Sequence, residues 1–508
     1  MLSRRAFVQS STAALAGAGL GTLPAHRRNA QPMNPNANRR PNVLIFIADD
    51  QSYRTLNAVN NPEVDTPNLD RLAARGTAFT HAHHQGSWTG AVCIASRSML
   101  LTGRMLYHCG GNTCGDHPLI GQAFGNAGYH TYCVGKWHNF GNSRERCFVE
   151  RGEAGPGMWG STEFDHQKKV PLGDPAQSAY LRPAPGNVWQ PDERHRKGHW
   201  LECDKSVDPT GYEHTSTRWA NHMIDFLDRQ AASPDQPFFA YCAMQAPHDP
   251  RQAPTEYLDR YPIDQTQLPP NYLPEHPFNQ GDYDLRDEQL APWPRTEHAV
   301  RAHRREYHAI LTHMDMEIGR VLDHMDKLGL SENTIVAHTA DHGLAVGQHG
   351  LMGKQNMYDH SVRIPLIMAG PGIKANQQHD GLVYQHSLYA TLCELTDTPM
   401  PETVQFPSLA GALREGTAGP HETVFSSYRH FQRMCRDSRH KLVFYPHLGR
   451  WQLFDSAEDP FEMRDLALEP HAKQTHRAVV DRLFGELQTW QDRVGDQLIV
   501  QLSDYDLG

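Results

Sequence analysis

Short, almost continuously apolar runs recur along the chain, separated by longer stretches of mixed polarity. A run of this kind, too short for a buried helix and without polar alternation, is typical of a strand buried on both faces of a parallel sheet. The runs that predict such strands are Asn42–Ala48, His130–Val134, Pro237–Met244, Thr334–His338 and Ile364–Ala369.

Helical periodicity fills the stretches between these runs. Thr66 and Pro67 are a typical N-cap and first-turn pair, and Gly76 is a typical stop signal. Apolar residues at helical spacing also occur over Trp219–Leu227 and from about His298 to Leu328. Strands that alternate with helices predict an open α/β sheet with helices on both faces.

The pattern changes after about residue 420. His440–Tyr445 and Trp451–Asp455 predict an antiparallel hairpin, and a helix is predicted over 473–494. We therefore predict a main domain over 41–420 and a small domain, an antiparallel sheet plus a helix, over 421–508. Two polar, Gly- and Pro-rich insertions, 141–213 and 247–294, interrupt the main domain, and insertions of this length often shape an active site.

The N-terminal segment has the features of an export signal. Arg4 and Arg5 precede a weakly apolar stretch rich in Ala and Gly, so a twin-arginine signal peptide is predicted over 1–30 and a linker over 31–40. The twin-arginine export machinery would then deliver the protein to the bacterial periplasm or beyond. No apolar run reaches the eighteen residues that a membrane helix requires, and the net charge of −10 argues against a nucleic-acid partner.

Polar side chains follow four of the predicted strands. Asp49 and Asp50 come directly after the first strand, and Asp341 and His342 come after the fourth. Ligands of open α/β sheets bind beyond the carboxyl ends of the strands, so these side chains are expected to converge with those that follow the second and third strands, which are Lys136, His138 and His248.

Three grouped carboxylates require a cation between them. Asp49, Asp50 and Asp341 supply oxygen ligands, which favour Ca²⁺, with Mg²⁺ as the other possibility. His342 would add a nitrogen ligand to this site.

Several motifs have a specific order along the chain. Cys93-Ile94-Ala95-Ser96-Arg97 resembles the modification motif of the type I, formylglycine-dependent sulfatases, with Ala95 where the best-known form has Pro. Gly135-Lys136-Trp137-His138, the Pro-His-x-Pro segment around His248 and the segment from Lys354 to Asp359 are similar to further motifs of that family. The chain therefore resembles the alkaline-phosphatase-like superfamily, whose large sheet is mixed but mostly parallel.

The resemblance implies a function and a role for each motif residue. Sulfate esters would be hydrolysed by a formylglycine made from Cys93 by a maturation enzyme. Its hydrate would bind the metal together with Asp49, Asp50, Asp341 and His342. Arg97, Lys136 and Lys354 would hold the sulfate oxygens. His248 would act as the acid and His138 as the base. The implied catalytic residues are Cys93, Arg97, Lys136, His138, His248 and Lys354.

The substrate is less defined by the sequence. Export and polar insertions favour a sulfated carbohydrate that is processed from one end, with Trp88, His83 and His84 as candidate sugar ligands. Other aromatic and histidine residues near these stretches could contribute, namely His81, Trp159, Trp189 and Trp200.

Four alternatives stay open at this point. The first is a sulfatase for aryl sulfates or choline sulfate, and the second is a phosphonate monoester hydrolase or phosphodiesterase of the same superfamily. The third is an alkaline-phosphatase-type enzyme with unmodified Cys93. The fourth is a catalytically silent glycan-binding protein in which Cys93 is never matured.

Overall fold

A computed structural model describes residues 39–59, 62–155, 198–283, 285–498 and 500. The predicted signal peptide and most of the predicted linker lie outside this range, as do Trp159 and Trp189. No helix of the described residues is both long enough and apolar enough to cross a membrane.

The strands alternate with helices over most of the chain. The strands are β1 (Asn42–Asp49), β2 (Gly76–His83), β3 (Gly86–Ser87), β4 (His130–Gly135), β5 (Glu150–Ala154), β6 (Trp200–Glu202), β7 (Tyr212–His214), β8 (Phe238–Pro247), β9 (Thr334–Ala340), β10 (Arg363–Ala369), β11 (Gln377–His379), β12 (Val383–Tyr384), β13 (Val424–Tyr428), β14 (Gln432–Arg436), β15 (His440–Tyr445) and β16 (Arg450–Asp455). The helices are α1 (Pro67–Ala74), α2 (Val92–Thr102), α3 (Ile120–Asn126), α4 (Ser143–Cys147), α5 (Thr215–Ala231), α6 (Thr255–Leu258), α7 (Glu297–Lys327), α8 (Asp359–Val362), α9 (Leu388–Leu395), α10 (Ala410–Glu415), α11 (Ala472–Thr475) and α12 (Arg477–Val494).

The large sheet has the predicted architecture. Its order is β11-β2-β10-β9-β1-β8-β4-β5, with β12 also paired to β2. Strands β9, β1, β8, β4 and β5 run parallel to one another, whereas β10 is antiparallel to both β9 and β2. This confirms a mixed, mostly parallel sheet. All five predicted strands are present within a few residues of their predicted bounds.

Helices cover both faces of this sheet. Phe238 and Phe239 are adjacent on β8, so their side chains point to opposite faces. Phe238 packs against Phe226 of α5, with ring centroids 5.5 Å apart, and Phe239 stacks on Phe124 of α3 at 4.4 Å. One helical layer therefore contains α5 and the opposite layer contains α3.

The second sheet has the order β16-β15-β14-β13-β3, and its β13–β16 part is antiparallel. Helix α12 packs against β14 and β15, which confirms a small antiparallel sheet with a helix near the C-terminus. Strand β3, which directly precedes the Cys93 segment, pairs in parallel with β13. The predicted small domain thus shares a sheet with a piece of the predicted main domain, and the boundary at 420 stays a prediction.

Candidate active site

Four neighbouring strands end at one edge of the large sheet and deliver polar side chains there. In the order β9-β1-β8-β4, β9 is followed by Asp341 and His342, β1 ends at Asp49, and His248 follows β8. Strand β4 is followed by Lys136 and then by His138. All of these side chains except His138 are nearly inaccessible to solvent. The structure therefore brings the predicted metal and catalytic residues together.

The buried carboxylates form a set of possible metal ligands. Ligand atoms of Asp49, Cys93, Asp341 and His342 lie within 4.8 Å of one another, and the same is true of Asp49, Asp50 and His248. Asp49 Oδ1 and Asp50 Oδ2 are buried without a hydrogen-bond partner. Orphaned carboxylate oxygens in a buried site are costly unless a cation binds them, so this donor set fits a hard divalent cation.

The backbone at Asp50 is in an unfavourable conformation that its surroundings hold in place. Its φ of 77° lies in the left-handed region, which is uncommon for a residue with a side chain. The Asp50 N–H donates to Asp341 Oδ1 at 3.2 Å, and its carbonyl accepts from the Tyr307 hydroxyl at 2.6 Å. The same hydroxyl accepts from Ser52 N–H at 2.9 Å. This local strain is typical of a functional site.

Cys93 lies in the first turn of α2. The helix begins at Val92, and its Val92–Ala95 stretch is buried. The Cys93 Sγ is 3.0 Å from Nδ1 of His138. Residue 93 therefore lies at the N-terminal end of α2, where the helix dipole favours anions.

Cations surround the carboxylates. Lys136 Nζ donates to the Asp49 carboxylate, Arg97 Nε donates to Asp341 Oδ2 at 3.0 Å, and Lys354 Nζ donates to Asp50 Oδ1 at 2.7 Å. Burial opposes ionisation of Asp49, but the charge of Lys136, together with those of His248, Arg97 and Lys354, outweighs it and holds the pKa of Asp49 well below its usual range.

The pKa of Asp50 is shifted in the opposite direction. Burial raises its pKa to about 6 despite the charge of Lys354, so these two adjacent carboxylates differ in how readily they ionise. A bound cation would favour the ionised form of both.

A pocket of about 300 Å³ opens over Cys93. The residues that line it are Gly90, Ala91, Cys93, His138, His248, Leu285, Arg286, Asp287, Lys354 and Gln355. Part of the lining consists of predicted catalytic residues, here termed the floor. The part termed the rim is Leu285–Asp287 and Gln355, whose place in the pocket the sequence did not predict. Insertion 247–294 therefore does shape this pocket. Its Pro-rich sequence has no periodicity from which the approach of Arg286 to the site could be predicted.

Rim residues also contact the predicted acid. Arg286 Nη2 is 2.9 Å from Asp249 Oδ1, 2.6 Å from Asp287 Oδ1 and 3.4 Å from His248 Nε2. His248 Nδ1 donates to the Asp249 carbonyl at 2.6 Å. Since a carbonyl can only accept, the hydrogen on Nδ1 is fixed, and Nε2 is the nitrogen that faces Arg286 and the pocket.

The predicted sugar ligands do not line this pocket. His83 and His84 are buried, with His83 Nδ1 bonded to the His81 carbonyl and His84 Nε2 bonded to the Ser361 carbonyl. Trp88 packs on the α2 side and donates to Asn112 Oδ1 at 3.0 Å. A role for these three residues in substrate binding stays a prediction. Trp200 is buried.

The chain was compared with known proteins. Residues 41–398 match the family model described as Sulfatase, and residues 347–489 match one described as N-sulphoglucosamine sulphohydrolase, C-terminal. An arylsulfatase of Clostridium perfringens is 27% identical, with 91% of this chain and 97% of the relative covered. An N-acetylglucosamine-6-O-sulfatase of Bacteroides thetaiotaomicron is 24% identical, with 90% and 88% covered.

Solved structures share the fold. A protein in complex with its substrate D-glucosamine-2-N,6-O-disulfate has a TM-score of 0.68 at 20% identity, with 90% of this chain and 99% of that chain covered. A phosphonate monoester hydrolase of Agrobacterium radiobacter has a TM-score of 0.69 at 20% identity, with 91% and 97% covered.

Proposed function

The chain belongs to the sulfatase family and is a sulfuric ester hydrolase, and we propose that its substrate is a sulfated carbohydrate processed from one end. The observation that carries this proposal is the pocket over Cys93. A volume of about 300 Å³ is at the lower end for small-molecule sites, so it suits one terminal sugar residue better than an internal stretch of polymer.

The pocket rim supports a polyhydroxylated substrate. Arg286, Asp287 and Gln355 supply charged and amide groups that can exchange hydrogen bonds with sugar hydroxyls, while Leu285 adds apolar surface. The C. perfringens and B. thetaiotaomicron relatives are an aryl and a carbohydrate sulfatase. We favour the carbohydrate for this chain because of this polar rim.

A panel of substrates tests the proposal. Matured enzyme would be given sulfated mono- and disaccharides, choline sulfate, 4-nitrophenyl sulfate and a 4-nitrophenyl phosphodiester, and released sulfate or nitrophenol would be measured. We expect the highest kcat/KM on a sugar with a terminal sulfate. Activity confined to choline sulfate or aryl sulfates would reject the carbohydrate, and a preference for the phosphodiester would favour a phosphonate monoester hydrolase or phosphodiesterase.

We infer that the cation is Ca²⁺, with Mg²⁺ as the alternative, and that Asp49, Asp50, Asp341 and His342 hold it together with residue 93. The carboxylates provide the hard oxygen ligands that both ions prefer. When bound, the cation would supply positive charge next to the sulfate oxygens. Lys136 and Lys354, now paired with Asp49 and Asp50, would then be free to bind the sulfate group.

We infer that Cys93 is converted to formylglycine by a maturation enzyme that accepts Ala95 in its motif. The hydrate of that group supplies the oxygen nucleophile. His138 Nδ1, 3.0 Å from the present sulfur, is placed to take a proton from residue 93. Burial and the charge of Lys136 lower the pKa of His138 to about 3, so its imidazole is neutral and has a lone pair for that proton, and the negative charge of a bound sulfate group would strengthen it as a base.

His248 is proposed as the acid that protonates the leaving oxygen, which it would do as the imidazolium, with Nδ1–H kept on the Asp249 carbonyl and the transferable proton on Nε2 in the pocket. Burial and the charges of Lys136 and Lys354 hold the pKa of His248 well below its usual range, and the negative charge of a bound sulfate ester would favour the protonated form. His248→Ala should lower kcat/KM on alkyl or sugar sulfates by ~10²–10⁴-fold, because their leaving alkoxides need a proton. Activated aryl sulfates should lose less than about tenfold. Parallel kinetics on both classes would check this, and equal losses would reject the acid role.

We further propose that residues 1–30 are a twin-arginine signal and that the protein acts in the periplasm or outside the cell. Because this machinery exports folded proteins, Cys93 would be modified before export. Fractionation of cells that express the full chain, compared with an Arg4→Lys/Arg5→Lys variant, would test the signal. Equal periplasmic amounts of the two proteins would reject it.

A further inference from the structure

Residues 354–359 connect the pocket to the C-terminal sheet. At one end, Lys354 Nζ is 2.7 Å from Asp50 Oδ1, and Gln355 Nε2 donates to Asp287 Oδ2 at 2.7 Å. At the other end, Asp359 begins α8 and is buried. The position of the Lys354 ammonium group therefore depends on how this short segment is anchored.

Asp359 is the centre of a buried cluster of charges. Arg436 Nη1 of β14 is 2.9 Å from each of its two carboxylate oxygens, and Lys441 Nζ of β15 also donates to it. Arg363 Nη1 is 3.3 Å away. Burial would raise the pKa of Asp359, but Arg436 and Lys441 hold it well below its usual range. The carboxylate is therefore ionised and held by two residues of the C-terminal sheet.

The same sheet also binds the backbone of the segment. Lys441 Nζ donates to the Met357 carbonyl at 3.1 Å, and Gln432 Nε2 donates to the Gln355 carbonyl at 3.1 Å. Glu462, which pairs with Lys441, accepts the Asp359 N–H at 2.7 Å. Contacts thus occur along the segment from Gln355 to Asp359, so it cannot shift relative to β14 and β15 without breaking several of them.

A buried ion pair is weak evidence for stability, because desolvation offsets much of its attraction, and its best-attested use is to fix geometry. The chain offers an internal comparison. Arg433, three residues before Arg436 on β14, makes a bidentate and equally buried pair with Asp496, at 2.5 and 2.8 Å. That pair ties β14 to the segment after α12 and does not contact residues 354–359.

We propose that Asp359 is a positioning residue for catalysis: through Arg436 and Lys441 it fixes residues 354–359 and so aims the Lys354 ammonium group at the reacting sulfate. The C-terminal sheet is then a part of the catalytic apparatus. This inference rests on the proposed role of Lys354.

The test compares Asp359→Asn with Asp496→Asn in the matured full-length enzyme, assayed on 4-nitrophenyl sulfate. Both variants neutralise one carboxylate that is paired with an arginine of β14. We expect Asp359→Asn to lower kcat by ~10–10²-fold, the scale expected for a misplacement of about 1 Å. Asp496→Asn should leave kcat within about threefold of the unsubstituted enzyme, since the neighbours of Asp496 do not reach the site. Thermal melting of both variants would show whether their stabilities are comparable. Equal losses of kcat would overturn the proposal.

A second arm separates positioning from general damage. If Asp359 acts through Lys354, Asp359→Asn should cause no further loss in a Lys354→Ala background, because coupled residues are not additive. If Asp359→Asn lowers kcat by the same factor in both backgrounds, the positioning role of Asp359 is overturned, while the proposed role of Lys354 stands. If Lys354→Ala itself leaves kcat unchanged, the role of Lys354 in the proposed function fails, and the positioning role fails with it.

If Asp359→Asn does not fold, Arg436→Lys takes its place, since it keeps the charge of the cluster and removes the guanidinium whose Nη1 donates to both Asp359 oxygens. A several-fold loss of kcat that disappears in the Lys354→Ala background supports the proposal. An unchanged kcat, or a loss that persists in that background, overturns it.

Discussion

Cys93→Ala should reduce the turnover of sulfate esters by ~10⁴-fold or more, the scale seen when a catalytic nucleophile is removed from an enzyme that retains its other groups. Alanine lacks the thiol from which the aldehyde is made, so residue 93 could supply neither nucleophile nor metal ligand. The cations around the site would still bind the sulfate group, so we expect KM to change far less than kcat. Sulfate release by protein made together with a maturation enzyme would measure the effect.

Cys109→Ala is the matched control. Cys109 is a buried free thiol that packs against Ala95 and Met99 of α2 but does not line the pocket. Its removal should cost some stability through a small cavity and leave kcat within about threefold. A Cys93→Ala enzyme as active as Cys109→Ala would mean that residue 93 is not the nucleophile.

The mass of the peptide that contains Cys93 decides between the remaining alternatives. A change that corresponds to conversion of the thiol to an aldehyde would establish the modified residue. An unmodified thiol in every competent host, together with glycan affinity and no turnover, would instead indicate a silent binding protein. Turnover with an unmodified thiol that survives Cys93→Ala would indicate a cysteine-independent hydrolase.

The central strands could be predicted because their burial on both faces leaves a direct trace in the sequence. Strand β1 is eight residues long and almost wholly apolar, and a buried parallel strand requires this composition. Strand β2, in contrast, was missed. Its sequence contains Gly76, Thr77, Thr80, His81 and His83, and some of these side chains bond distant partners, such as the Lys374 carbonyl, which accepts from Thr77. Local pattern cannot anticipate partners almost three hundred residues away.

The candidate site also contains residues whose positions could be predicted from the sequence and residues whose positions could not. Asp49, His248 and Asp341 could be placed together because the end of a parallel strand fixes where the next residues lie. Arg286 and Asp287 could not, since their approach depends on contacts within a segment without periodicity. One example is the buried Glu288 carboxylate, which accepts the N–H groups of Met352 and Gly353 at 2.9 and 2.8 Å. The floor of the pocket follows from topology, whereas its rim follows from side-chain packing.

Removal of the divalent cation should have the second large effect. Treatment with a chelator should lower kcat by ~10³-fold, equivalent to about 4 kcal/mol of transition-state stabilisation, and Ca²⁺ should restore it. Lys136 and Lys354 lie against Asp49 and Asp50, and a cation bound to those carboxylates would leave both ammonium groups available to the sulfate oxygens. Titration with Ca²⁺ and with Mg²⁺, followed by activity and by thermal melting, would show which ion binds.

The melting measurement gives a readout that does not depend on turnover. A cation that binds only the folded state stabilises it by ~2.7 kcal/mol at a concentration of a hundred times Kd. Asp341→Asn should abolish this stabilisation, because it removes the charge of a carboxylate that belongs to the ligand set.

Asp315→Asn provides the control for that loss. Asp315 is also a fully buried carboxylate, but it accepts the N–H groups of Asn68 and Leu69 at the start of α1 and belongs to neither ligand cluster. This variant should therefore melt at a lower temperature and still be stabilised by Ca²⁺ to the same extent as the unsubstituted enzyme. An Asp341→Asn protein that keeps the full Ca²⁺ response would place the cation elsewhere, and an Asp315→Asn protein that loses it would show that the response reports general stability. A selective loss in Asp341→Asn can arise only if the cation binds at the carboxyl ends of β1 and β9.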